Sequence, residues 1–152
     1  MKKINKRLLF GCPSATAKIK GSEKFSQIIG NMYMYSACEG TLVVTEIWGL
    51  PEDSPFFAVH IHNGKSCTGN ESDPFADAGS HLNFKNEPHP YHTGDLPVLL
   101  NNNGYAWSAV YTNRFKPCEV KGYPVIIHSK PDDYRSQPSG DAGEKIACGI
   151  IK

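Results

Sequence analysis

The sequence predicts an all-β fold, and three observations carry that expectation. Fourteen glycines and eleven prolines stand among 152 residues, a density of chain-breakers that shortens helices and multiplies loops. Apolar segments are short and recur between turn residues, and none shows a helical period of any length. The composition, 39% apolar and 20% charged, supplies enough apolar side chain for one packed core and excludes disorder.

In chain order, strands are expected at Ala15–Lys20, Ile28–Ser36, Thr41–Trp48, Phe56–His62, Tyr105–Tyr111, Tyr123–His128 and Lys145–Ile151. Glu39-Gly40 places a glycine at the tight connection between the second and third, and Gly49-Leu50-Pro51 closes the third. Seven or so short strands in one chain of this length predict a β-sandwich or a flattened Greek-key barrel. The stretch from Asn63 to Asn103 is rich in Gly, Asn, Asp, Pro and His, and a loop this long in a compact domain is expected to be functional or cross-linked. Residues 1–14 read as an N-terminal extension and 15–152 as the single domain.

Charge narrows the function. Sixteen basic against fifteen acidic residues leave +1, too little to neutralise a phosphate backbone, so nucleic acid is not an expected partner. No apolar run approaches the roughly 20 residues that cross a bilayer, so no membrane partner is expected either. The basic start Met1-Lys2-Lys3-Ile4-Asn5-Lys6-Arg7 is like a signal n-region. Leu8-Leu9-Phe10 is short of the apolar stretch that should follow, although Leu9-Phe10-Gly11-Cys12 has something of a lipoprotein cleavage box. A cytoplasmic address is favoured over a secreted or cell-envelope one. The five cysteines, Cys12, Cys38, Cys67, Cys118 and Cys148, contain no Cys-x-x-Cys pair, and leave room for one internal bridge.

The histidines carry the chemistry. All six lie between residues 60 and 128. His60 and His62 are two apart at the end of an apolar strand, so strand alternation turns both rings to one face. His81, His89, His92 and Asp95 share one loop, and three imidazoles with a carboxylate complete a tetrahedral zinc site. His128 ends another apolar run; with His60 and His62 it offers three nitrogens, and a fourth in a tetragonal arrangement would suit copper(II). If His81 used both ring nitrogens, one on each metal, six histidines and one aspartate would satisfy both sites.

These motifs make the sequence resemble the copper/zinc superoxide dismutases. The likeness rests on His60-Ile61-His62, Ala78-Gly79-Ser80-His81, His92-Thr93-Gly94-Asp95-Leu96-Pro97, Val125-Ile126-Ile127-His128 and Gly140-Asp141-Ala142-Gly143-Glu144-Lys145-Ile146-Ala147-Cys148-Gly149. It extends from about Ala15 to Lys152, and Gly94-Asp95-Leu96-Pro97 is closer to the bacterial branch. The resemblance implies an eight-stranded Greek-key β-barrel, an immunoglobulin-like sandwich with long metal-binding loops. It implies copper on His60, His62, His81 and His128, and zinc on His81, His89, His92 and Asp95. It further implies that Asp132 links the two sites through hydrogen bonds, and that Cys67 and Cys148 form the disulfide that fastens the long loop to the last strand.

The activity implied is disproportionation of superoxide anion to dioxygen and hydrogen peroxide, with His81 as proton donor. Ser139 falls at the channel rim, and Lys145 stands where relatives carry an arginine over the copper. Lysine keeps the charge but loses the planar two-pronged donor. His89 and His92, three apart, mark a shortened zinc loop. A non-catalytic copper/zinc-binding protein for copper buffering or delivery is the alternative, and a homodimer is an assembly the chain could form. Cys38 and Cys118 are expected to be small buried hydrophobes, and Tyr33, Tyr35, Trp48 and Trp107 to be core or interface residues.

Overall fold

A computed structural model describes residues 11–152; the basic start and most of the box before Cys12 lie outside them. Among the described residues no helix is long and apolar enough to cross a membrane. Nine strands run β1 (Ala15–Gly21), β2 (Ile29–Ala37), β3 (Gly40–Trp48), β4 (Phe56–Phe57), β5 (Val59–Ile61), β6 (Leu99–Leu100), β7 (Tyr105–Thr112), β8 (Pro124–His128) and β9 (Lys145–Ile150). Among the described residues three single 3₁₀ turns, Glu23–Phe25, Ala76–Ala78 and Pro117–Glu119, punctuate the connections.

Seven strands form one antiparallel sheet in the order β5-β8-β9-β1-β2-β3-β7, and β4 pairs with β6. β4 and β5 are one run, Phe56–Ile61, whose ladder changes partner at Ala58. There Ala58 gives its N–H to Lys130 and accepts from His128. With that run counted once, the curled sheet and the β4–β6 ribbon make the eight strands of a Greek-key β-barrel. β6 is a strand that the sequence does not announce. It is two residues long, too short for alternation to register, and is defined by Phe56↔Leu100 and Phe57↔Leu99.

Alternation builds the core. Along β1, Ala15, Ala17 and Ile19 point inward; Met32 and Met34 of β2, Ile47 of β3 and Ile127 of β8 meet them. Each such Ile or Met, fully buried, contributes about 1.5–3 kcal/mol. The pairing of β1 with β9, inside the sheet, needs a glycine: a Cβ at Gly149 would stand 2.4 Å from the Lys18 carbonyl oxygen.

One expectation about single residues is corrected and another is narrowed. Cys38 and Cys118 are exposed, as is Cys12, because Cys38 sits at the tip of the β2–β3 hairpin with φ 51° and Cys118 occupies a 3₁₀ turn. Trp48 and Trp107 lie on the outer face of the sheet, 39% and 50% exposed, so neither is a core residue. Tyr33 and Tyr35 pack against Ala37, Leu42 and Val44.

Candidate metal centre

The fold brings every one of the seven expected ligands into two touching clusters. His60 and His62 flank Ile61, at the end of β5. His128 closes β8, in register with the start of β9, so that Lys145 is its cross-strand neighbour. His81 reaches the strand end through an isolated bridge to His62, and Asp95 through one to His60. The loop therefore returns to the strand that carries the first two imidazoles. In one cluster, ligand atoms of His60, His62, His81 and His128 all lie within 4.8 Å of one another; in the second the same holds for His81, His89, His92 and Asp95. All seven residues are buried, and His81 belongs to both clusters.

His60, His62 and His128 are each held by one ring nitrogen and offer the other. His62 Nδ1 meets the Gly79 carbonyl at 2.8 Å and His128 Nδ1 meets that of Gly143 at 3.3 Å. A carbonyl only accepts, so both rings must carry the proton at Nδ1 and present a bare lone pair at Nε2. Those two lone pairs face each other at 3.2 Å. His60 gives its Nε2–H to Asp132 Oδ2 at 2.8 Å, and His60 Nδ1 and His81 Nε2 are buried with no partner at all. Lone pairs crowded together and buried without donors are suited to a cation between them.

The second cluster gathers on a carboxylate. His81 Nδ1 lies 2.7 Å from Asp95 Oδ1, and the Nδ1 atoms of His89 and His92 lie 3.1 and 3.2 Å from Oδ2. The His92 backbone N–H also donates to Oδ2 at 3.0 Å. On the far side of its ring, His89 Nε2 donates to Asp132 Oδ1 at 2.9 Å. Asp132 thus joins a histidine of each cluster, and it also accepts from the Tyr134 N–H at 2.7 Å. Gly140 makes this link possible, since a Cβ there would stand 2.0 Å from Asp132 Oδ1.

Electrostatics keep the ligands in the forms metals need. Burial pushes His62 down to about 3, only partly opposed by the Gly79 carbonyl. Burial likewise lowers His60, against the bond from Asp132, and His128 goes well below the imidazole range. For Asp95, burial acts upward, but the His81 bond and the charges of the three imidazoles together outweigh it and bring the carboxyl to about 2. Near neutrality His60, His62 and His128 are therefore neutral bases and the Asp95 carboxyl is an anion, forms suited to a zinc or copper site.

A cleft of about 680 Å³ opens onto His62, His81 and His128, with Ser139 and Lys145 on its wall. His60 lies beneath it, fully buried. Cys67 and Cys148 are bonded across a sequence separation of 81, so the loop is tied to β9 as the resemblance implied.

Three site residues escape a reading of the sequence. Arg114 Nη1 donates to the carbonyls of Pro90, His92 and Asp95 at 2.9–3.2 Å and so holds the second cluster's loop from outside. Gln137 clamps His89 by accepting its N–H at 3.0 Å and donating to its carbonyl at 2.7 Å. Asp73 bonds Lys145. None of the three stands in a pattern that sets it apart from solvated polar residues.

An antiparallel β-barrel whose strand ends and one long loop hold two metal sites through a shared histidine defines a class of binuclear metalloprotein. Within it, the copper/zinc superoxide dismutase (SODC) model matches residues 28–151, and the chain belongs to that family. It is 32% identical over 160 residues to the copper-zinc superoxide dismutase of Escherichia coli K12, spanning 93% of this chain and 91% of that one. The Legionella pneumophila enzyme is 33% identical over 129 residues, 82% and 78% of the two chains. Among solved structures, the Cu/Zn superoxide dismutase from Brucella abortus superposes with a TM-score of 0.78 at 26% identity, covering 91% of this chain and all of that one. A double mutant of a SOD-like protein from Bacillus subtilis gives 0.75 at 26%, covering 89% and 95%.

Proposed function

We propose that this protein disproportionates superoxide to dioxygen and hydrogen peroxide, with copper on His60, His62, His81 and His128, and zinc on His81, His89, His92 and Asp95. The observation that carries the reading is the shared ring of His81, its Nε2 buried among the first cluster without a partner and its Nδ1 against Asp95 in the second. Copper, if held by His60, His62, His81 and His128, would supply the one-electron exchange with superoxide, and zinc, if held by His81, His89, His92 and Asp95, would supply a fixed positive charge.

The protein does the rest. The cleft admits a small anion to His62, His81 and His128 and leaves His60 covered. His81 Nε2, buried at the floor of the cleft without a partner, would take up a proton when not engaged by a metal and return it to reduced oxygen, a general-acid role; solvent provides the second proton. Asp132 fixes His60 with its proton on Nε2 and so leaves Nδ1 facing inward. Across one cycle two superoxide anions and two protons become one dioxygen and one hydrogen peroxide.

Copper buffering or delivery without turnover would need the same donors and no access for an anion. The open cleft over three of the four first-cluster histidines favours the enzyme. Protein loaded with one copper and one zinc per chain should remove superoxide from a steady flux catalytically. Metal uptake without any such removal would make it a binding protein.

A further inference from the structure

Lys145, the expected attractor of the anion, is not free. Its Nζ lies 2.5 Å from Asp73 Oδ2, with the lysine side chain 16% and the aspartate 38% exposed. Asp73 is held in place: its Oδ1 accepts the Phe75 N–H at 3.0 Å, its carbonyl accepts from Asn70 and Ala76, and Asn70 Oδ1 accepts from Ser72 and Asp73. The same loop is bonded through Cys67 to Cys148, three residues after Lys145 on β9. Loop and strand are thus fastened twice, once covalently and once by charge. The other ammonium lining the cleft, Lys24, faces Glu144 at 3.7 Å, and Glu71 lines the cleft as well. Two cations and three carboxylates surround an opening meant for an anion.

We propose, on the reading of the protein as a superoxide dismutase, that Asp73 is a positioning residue that holds the Lys145 ammonium against the channel wall and cancels its charge, thereby setting how strongly the channel attracts its anion. A paired charge exerts little field beyond a few ångströms, and an ammonium bound to a carboxylate must break that bond before it can contact substrate. The rate of the native protein then depends weakly on salt, whereas a channel with an unpaired lysine would lose rate as salt screens it.

Asp73→Asn is the informative variant, because the retained Oδ1 still accepts the Phe75 N–H while the charge is lost. The copper- and zinc-loaded native protein, Asp73→Asn, Lys145→Met and the double variant are titrated with azide by visible absorption from about 10 to 300 mM salt. Peptide-resolved acetylation of Lys145 is followed in the native protein and Asp73→Asn. Asp73→Asn should bind azide about threefold tighter at low salt, an advantage that vanishes at high salt, and its Lys145 should be acetylated faster. Lys145→Met should weaken azide binding roughly threefold more in the Asp73→Asn background than in the native one. An equal cost of Lys145→Met in both backgrounds, or equal salt slopes for native protein and Asp73→Asn, overturns the proposal. Failure of the dismutase reading would look different: no loaded protein would consume superoxide, while the azide and acetylation differences would remain.

Discussion

Asp132 and His60 share a hydrogen bond of 2.8 Å, Nε2–H to Oδ2, with both side chains fully buried. The other oxygen of that carboxylate holds His89, so one residue orients a ligand in each cluster. Burial alone would raise the Asp132 carboxyl, yet the bond from His60 and the Tyr134 N–H bring it below the usual aspartate range. The carboxylate is therefore an anion near neutrality.

Asp132→Asn keeps the shape but replaces one acceptor with an amide N–H, which must point at the nitrogen of one histidine. That ring is then driven to the opposite tautomer and loses its inward lone pair. Loss of such a partner typically costs 10–100-fold in metal affinity. Competition with a chromophoric chelator should show at least a tenfold weakening at one site; unchanged affinity at both would remove Asp132 from the link.

What the sequence made legible was whatever rests on spacing. His60-Ile61-His62 could be placed on one strand face because alternation is a property of the backbone, and all seven clustered ligands follow from ordered motifs. β6 was not legible, because Leu99-Leu100 becomes a strand only by meeting Phe56 and Phe57. Arg114, Gln137 and Asp73 act through partners 19 or more positions away, and a lone polar residue in a loop carries no mark of its distant partner. The exposure of Trp48 and Trp107 was hidden for the same reason, since the two outward faces of β3 and β7 look as apolar in sequence as inward ones.

Cutting the Cys67–Cys148 bond should destabilise the protein chiefly by freeing the unfolded chain. Closing a loop of 81 positions is worth on the order of 4 kcal/mol in the chain-entropy model. A Cys67→Ser, Cys148→Ser variant should unfold at markedly lower denaturant, and the Asp73–Lys145 contact should loosen with it. A midpoint within error of the native one would mean the remaining packing holds the loop unaided.

His81 is the only residue common to both clusters. His81→Ala should reduce copper and zinc content together, whereas His60→Ala should lower copper and leave zinc near one per chain. Elemental analysis after dialysis against both metals separates the cases, and full zinc retention in His81→Ala would refute the shared ligand.

The metal-free protein should lose stability steeply as it is acidified below neutrality. Burial lowers His60, His62 and His128 in the folded state, His62 to about 3, while in the unfolded chain each titrates near 6.5. Between those values the unfolded chain binds more protons than the folded one, so stability rises with pH through this window and falls on acidification. A single group contributes at most about 1.4 kcal/mol per pH unit, and only until its own folded value is reached. Asp95, lowered to about 2, extends the decline in the same direction below the ordinary aspartate value. Bound metal should deepen the effect, since protons and metal compete for the same nitrogens. Urea unfolding of the metal-free protein from pH 7.5 to 4.5 should show the fall beginning near 6.5, with a shallower slope in His62→Gln, which keeps a polar side chain but no titration in this range. A flat profile in the native protein would mean that the histidines titrate alike in the folded and unfolded chains, so that burial does not hold the rings as free bases when no metal is bound.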